Sequence, residues 1–146
     1  MRPGLLRTIG MLAVLTGGLS CAGEGTGLDE FGNPLGSGSP LGPTLEGIQA
    51  NIFTPICTQC HTGAAAPLGL ALDEGVAFQN LAGVASVEIP ELKRVEPGDP
   101  ERSYIIWKIE GRPEILGVRM PRGLAPLSGE QIAAIRGWIQ AGAPAN

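Results

Sequence analysis

Cys57-Thr58-Gln59-Cys60-His61 decides how this chain is read. These five positions hold two of the three cysteines and the sole histidine of a 146-residue sequence. A site built from several imidazoles is therefore excluded, and soft donors elsewhere are few: Cys21 and three methionines. Hydrophobic residues make up 43% and charged residues 16%, a low charge content for a chain long enough for one domain with one core. Ten basic against 14 acidic side chains leave a net charge of -4. No basic excess exists to meet a phosphate backbone, so no nucleic acid is expected among the partners.

Two cysteines separated by two residues, with a histidine directly behind them, form the attachment pattern of a c-type haem. Cys57 and Cys60 would form thioethers with the vinyl groups on adjacent edges of the porphyrin, and His61 would reach the iron as proximal ligand. Three other readings compete. Zinc needs four Cys, His or carboxylate ligands, but Cys60 and His61 are adjacent and no second histidine exists. A thioredoxin-like dithiol needs a strand–helix–strand context that the flanking sequence lacks. A Cys57–Cys60 disulfide closes a small strained ring and leaves His61 without a role. One covalent haem c is the expected cofactor.

The residues on either side read as short helices. Thr44 caps a first helix carrying Leu45, Ile48 and Ile52 on one face, with Phe53 beside them and Pro55 as its expected end. A weaker second helix is expected from Asp73 through Val76, Phe78 and Leu81, stopping near Gly83. Asp99 and Pro100 are the N-cap and first position of a third, which carries Tyr104, Ile105, Trp107 and Ile109 before Gly111. Ser128-Gly129-Glu130-Gln131 is a capping box, followed by Ile132, Ile135, Trp138 and Ile139 and a stop at Gly142. β-branched runs of period two are absent. The expected fold is all-α: about four short helices with long loops wrapped around a covalently bound haem that fills part of the core.

Further out, residues 1–20 read as a secretory signal: Arg2 and Arg7, then an uncharged stretch from Thr8 to Leu19. That apolar run is shorter than the roughly 20 residues a membrane-spanning helix needs. It ends Gly18-Leu19-Ser20-Cys21, which resembles a bacterial lipoprotein signal cleaved before Cys21, the residue that then carries the lipid. A plain secretory signal is the alternative, and both readings export the chain across the bacterial inner membrane, to the periplasmic side or cell envelope. Residues 21–43 are rich in Gly, Pro and Ser and read as a flexible tether. Residues 44–146 make up the folded domain.

From Thr44 to Pro144 the sequence resembles monohaem c-type cytochromes of the His/Met class, in particular the planctomycete-type bacterial cytochrome c domains. The residues that carry the likeness are Phe53, Cys57–His61, Leu70-Ala71-Leu72-Asp73, the run Val95-Glu96-Pro97-Gly98-Asp99-Pro100-Glu101-Arg102-Ser103, Met120-Pro121, and the terminal stretch from Leu127 to Ala143. The resemblance implies that Met120 is the sixth iron ligand. Two positions depart from the family pattern: Gln49 stands where many small cytochromes have a helix-crossing glycine, and Thr62 stands where a glycine often follows the histidine.

Met120 also stands out on its own. With the signal removed it is the last thioether in the chain. A lone methionine is ordinarily core filling, but a haem held by His61 needs a second ligand, and no other imidazole exists. Thioether ligation raises the reduction potential relative to two imidazoles. The expected function is that of a membrane-anchored carrier of single electrons between redox proteins, and not of an enzyme. The alternative is a haem enzyme or sensor with an open iron position, such as a small peroxidase, which requires a distal acid–base group.

Weaker expectations attach to other residues. A carbonyl near Pro67 would accept the His61 ring N–H. Tyr104, Trp107 and Trp138 would pack on the macrocycle or in the core around it. Arg119 and Arg122 would pair with haem propionates or stand in solvent. Lys108, Arg112, Arg119 and Arg122, set against Glu110 and Glu114, would form a basic rim that steers an acidic partner.

Overall fold

The first helix begins where the Thr44 hydroxyl accepts the Gly47 amide at 3.1 Å, as its sequence anticipates. The computed structural model describes residues 40–145, and in it the chain then stays helical through Gln59. The signal segment 1–20, Cys21 and the tether up to residue 39 lie outside the described residues. This helical path has four parts: α1 (Leu45–Ile48), a π-helical segment (Gln49–Phe53), α2 (Thr54–Ile56) and a 3-10 turn (Cys57–Gln59). Pro55 does not end the helix as expected. The Thr54 amide reaches back five residues to the Gln49 carbonyl. That wider turn removes the carbonyl–ring clash a proline causes in a regular helix, and Pro55 becomes the start of the next turn.

The second helix, α3, is shorter than expected and spans Ala77–Leu81. Asp73 opens a turn before it, its carbonyl accepting the amides of Val76 and Ala77. The third helix is split into a 3-10 turn (Pro100–Arg102) and α4 (Tyr104–Glu110). Asp99 caps the first piece, its carboxylate accepting the Arg102 amide at 3.2 Å. Ser103 separates the two pieces in extended geometry. It is fully buried, and its hydroxyl donates to the Asp99 carbonyl at 2.8 Å and accepts the Glu96 amide at 2.8 Å. Such local bonds compete with the helical ladder. The Tyr104 and Ile105 amides turn instead to the carbonyls of Lys93 and Arg94.

The last helix, α5, runs Gly129–Gln140 with the capping box intact: Ser128 Oγ accepts the Gln131 amide, and Gln131 Oε1 accepts the Ser128 amide. Three isolated bridges join residues 82–103, and the described residues contain no strand. The fold is that of a small all-α domain. Its core gathers Ile48, Ile52, Phe53, Leu81, Val95 and Ile106 with Ile135, Trp138 and Ile139 of α5. Both α1 and α4 pack on α5. Close approach there depends on Gly137, where a Cβ would come within 2.9 Å of Pro43. Gln49 is buried among these elements, its amide donating to the Leu72 carbonyl at 2.9 Å and to Thr54 Oγ1 at 3.0 Å.

Candidate functional site

A cavity of about 350 Å³ opens between the 53–72 segment, α4 and the loop after α4. Its volume falls in the roughly 300–1,000 Å³ range of small-molecule and cofactor sites. Phe53, Leu70, Leu81, Ile105, Ile109 and Leu127 supply much of an apolar wall. Cys57, Cys60, His61 and Met120 line the same cavity. The two thiols, the imidazole and the thioether of the described chain therefore converge on one space.

The 3-10 turn sets the first three. The amides of Cys60 and His61 both turn back to the Cys57 carbonyl, at 3.2 and 2.9 Å. Both cysteines are free thiols, Cys57 partly buried and Cys60 exposed. Burial pushes the Cys57 thiol up to about 12. A redox dithiol or a zinc thiolate works from the opposite direction of shift. Among the described residues no group of three or more His, Cys, Asp or Glu side chains is placed to hold a metal ion.

His61 Nδ1 lies 3.0 Å from the Leu70 carbonyl. A carbonyl only accepts, so Nδ1 carries a proton, and in the neutral ring the lone pair is then on Nε2. The partner is the Leu70 carbonyl, three residues beyond Pro67, whose own carbonyl accepts the Leu70 amide at 3.1 Å. The Leu72 amide donates to the His61 carbonyl at 2.8 Å, closing the loop a second time. Asp73 closes it a third time. Its carboxylate accepts the Thr62 hydroxyl and, at 2.8 Å, the Gly63 amide. The Thr62 hydroxyl, and then the Gly63 amide, hold that carboxyl below the usual range.

Arg94 is a site residue that sequence reasoning missed. It lines the cavity and donates to three backbone carbonyls: Leu68 at 2.6 Å, Asn80 at 2.9 Å and Gly69 at 3.3 Å. No local motif announces it, since its partners lie 14 to 26 residues away.

Met120 sits partly buried in the loop after α4, next to a cis peptide bond to Pro121. Its amide donates to the Lys108 carbonyl at 2.9 Å. Lys108 Nζ donates to the Leu116 carbonyl at 2.7 Å, and the Leu116 amide donates to the Tyr104 hydroxyl at 3.1 Å. Gly111 turns α4 into this loop at φ 73°, and a Cβ there would meet Arg119 Cδ at 2.8 Å.

The aromatic expectations divide. Tyr104 lines the cavity, whereas Trp107 and Trp138 do not. Trp107 Nε1 donates to the Glu101 carbonyl, and the fully buried Trp138 donates to that of Pro144. The expected basic rim is also divided. Lys108 pairs with Glu88 at 3.1 Å, and Arg112 pairs with Glu101 and Glu110 at 2.7 and 2.9 Å. Arg119 Nε donates to the Ile109 carbonyl at 2.8 Å. Arg122 lines the cavity and makes no ion pair among the described residues. Beside it, Leu68, Val87 and Leu124 bring large apolar side chains to the cavity while remaining about half exposed.

Comparison with known proteins adds no relative: no family model, no curated protein and no solved structure matches this chain.

Proposed function

We propose that the chain is a c-type cytochrome of the His/Met class and carries single electrons through one covalent haem c. The observation that carries this reading is the convergence of Cys57, Cys60, His61 and Met120 on one apolar cavity. The donor set fits the group: two thiols two residues apart, an imidazole with Nε2 unprotonated, and a thioether from a different segment. Cys57 and Cys60 would hold the macrocycle, and His61 and Met120 its iron. Bound there, the haem supplies one-electron exchange between ferric and ferrous states.

The chain's own residues do the rest. Phe53, Leu81, Ile105 and Leu127 keep water from the cavity. The Leu70 carbonyl holds the proton on His61 Nδ1 and makes the imidazole a stronger ligand. α4 holds the backbone of Met120.

A haem enzyme would draw on the polar corner of the cavity, formed by Glu88, Lys108 and Tyr104. There Glu88 and Lys108 already neutralise one another, and Tyr104 is pushed up by burial first, with the Glu88 hydrogen bond and charge adding to the shift. Optical spectra of the protein produced with haem-attachment machinery test the carrier reading. A low-spin reduced form and a weak far-red sulfur–ferric band are expected. An oxidised protein that lacks the band and binds peroxide readily would replace the carrier with the enzyme.

The same reading places the protein outside the inner membrane, anchored through lipid on Cys21, with redox proteins as partners. Cell fractionation checks this: Cys21→Ser is expected to move the haem-stained chain from the membrane to the soluble fraction. Release of the wild-type chain without detergent would favour a plain secretory signal.

A further inference from the structure

Leu68 is one of two non-glycine residues in left-handed backbone geometry among the described residues, at φ 56° and ψ 23°. Gly69 follows at φ 63°. Two consecutive left-handed residues turn the Leu68 and Gly69 carbonyls toward the Arg94 guanidinium, which takes both, at 2.6 and 3.3 Å. The next carbonyl, that of Leu70, is the one that accepts from His61 Nδ1. A leucine in this geometry is strained, and such strain persists only where surrounding contacts over-determine it. Arg94 is itself fixed, since the nitrogen that reaches Gly69 also donates to the Asn80 carbonyl at 2.9 Å.

We infer that Arg94 is a positioning residue for His61: it clamps the strained Leu68–Gly69 turn so that the Leu70 carbonyl holds the imidazole with Nε2 facing the cavity. The role of Nε2 as an iron ligand rests on the cytochrome reading, but the clamp itself does not. Arg94 makes no hydrogen bond to His61; two of its three carbonyl partners, Leu68 and Gly69, lie in the turn, and the third, Asn80, lies in α3. Leu68 is about half exposed, and its replacement by glycine removes the strain with little loss of packing.

The test uses the full chain as wild type and as Arg94→Gln, Arg94→Lys, Leu68→Gly and Arg94→Gln/Leu68→Gly. Three readouts apply: amide exchange at Gly69 and Leu70 against Ile135 and Ile139, exchange of the His61 Nδ1 proton, and haem retained in denaturing gels. Arg94→Gln is expected to speed exchange at Gly69 and Leu70 by roughly tenfold, the factor that release of left-handed strain implies, and to speed exchange of the His61 Nδ1 proton, with α5 unchanged. In haem-loaded protein the potential should rise as the His61 hydrogen bond weakens. Arg94→Lys, which keeps the charge and loses the fork, is expected to fall between. Leu68→Gly should recover much of the protection in the Arg94→Gln background.

Equal acceleration in α5 would make Arg94 a merely structural residue, and unchanged exchange of the His61 Nδ1 proton, or no recovery by Leu68→Gly, would overturn the clamp. Absence of retained haem in the wild type would sink the cytochrome reading alone, because exchange at Gly69, Leu70 and His61 Nδ1 reports on the clamp in the full chain as isolated, with or without haem.

Discussion

The two segments that bring His61 and Met120 to the cavity are held by different means. His61 is tied within its own stretch of chain, where Leu70, Leu72 and Asp73 each close the loop within a dozen residues. Met120 is fastened over similar separations, but to a helix. Its amide goes back to Lys108, and the loop that leads to it is fastened to Lys108, Ile109 and Tyr104 of α4. The His61 side is thus a hydrogen-bonded turn clamped by Arg94, and the Met120 side is as well placed as α4 itself. Closures this short cost little chain entropy on either side. Attachment to a helix transmits any shift of that helix to Met120. Perturbations should therefore separate the two sides, and the size of the separation measures how independent they are.

The strongest perturbation removes the two thiols beside His61. On the cytochrome reading, replacing both Cys57 and Cys60 with Ser is expected to abolish covalent haem entirely, read by haem-peroxidase stain after denaturing electrophoresis. The apolar cavity would then stay unfilled, and proteolysis should be fast. A stable, colourless double variant with unchanged helicity and wild-type protease resistance would mean that the core does not depend on haem.

Next in size is the loss of the Met120 thioether. Met120→Ala should eliminate the far-red band, open the iron to carbon monoxide and lower the potential, while haem attachment through Cys57 and Cys60 persists. Persistence of the band in Met120→Ala would show that another group supplies the sixth ligand. Lys93 and Lys108 are the only lysines in the chain, and both already bond carboxylates, Glu96 and Glu88.

Separation along the chain also decides what the sequence discloses. The Thr44 cap, the Ser128–Gln131 box and the left-handed stop at Gly111 are each set by residues three or four apart, and each is legible as a pattern. The cysteine–histidine cluster is legible for the same reason. Pro55 misleads because its tolerance depends on a π turn formed upstream, and no residue of that turn advertises it. Ser103 breaks a helix that propensity would continue, since its hydroxyl finds buried partners at Glu96 and Asp99. Arg94 and the pairing of Lys108 with Glu88 stay hidden because 14 to 26 residues separate the partners. The basic rim looks like a free patch in sequence in part because two of its counter-charges, Glu88 and Glu101, lie outside that segment.

A milder change probes the fastening to α4. Tyr104→Phe removes the hydroxyl that accepts the Leu116 amide at 3.1 Å and leaves the ring in the cavity wall. A loss of about 1 kcal/mol is expected from one such bond. It should fall unevenly: the far-red band should disappear at lower urea than in wild type, while exchange at Leu72 near His61 stays unchanged. Loss of both signals at the same urea concentration would mean that the two sides unfold as one unit.

The smallest expected effect lies on the His61 side and is read through pH. The Asp73 carboxyl is held below its ordinary value by the Thr62 hydroxyl and the Gly63 amide, both of which favour the ionised form. A depressed folded-state pKa contributes stability that is fully present above the unfolded value, about 3.9 for aspartate. That contribution fades as the pH falls below about 3.9 and is gone once it passes the depressed folded value. At neutral pH it is constant, so a titration from pH 7 to pH 5 should leave the Gly63 amide protected. Below about pH 4 protection should fall, and Asp73→Asn should flatten this dependence because the amide does not titrate. The group is solvent-facing and screened, so the global unfolding midpoint should move little. If the Met120 band weakens in the same acid range, and Asp73→Asn removes that weakening too, the His61 turn and the Met120 loop are coupled through the cavity. If only Gly63 responds, the His61 turn moves independently of the Met120 loop.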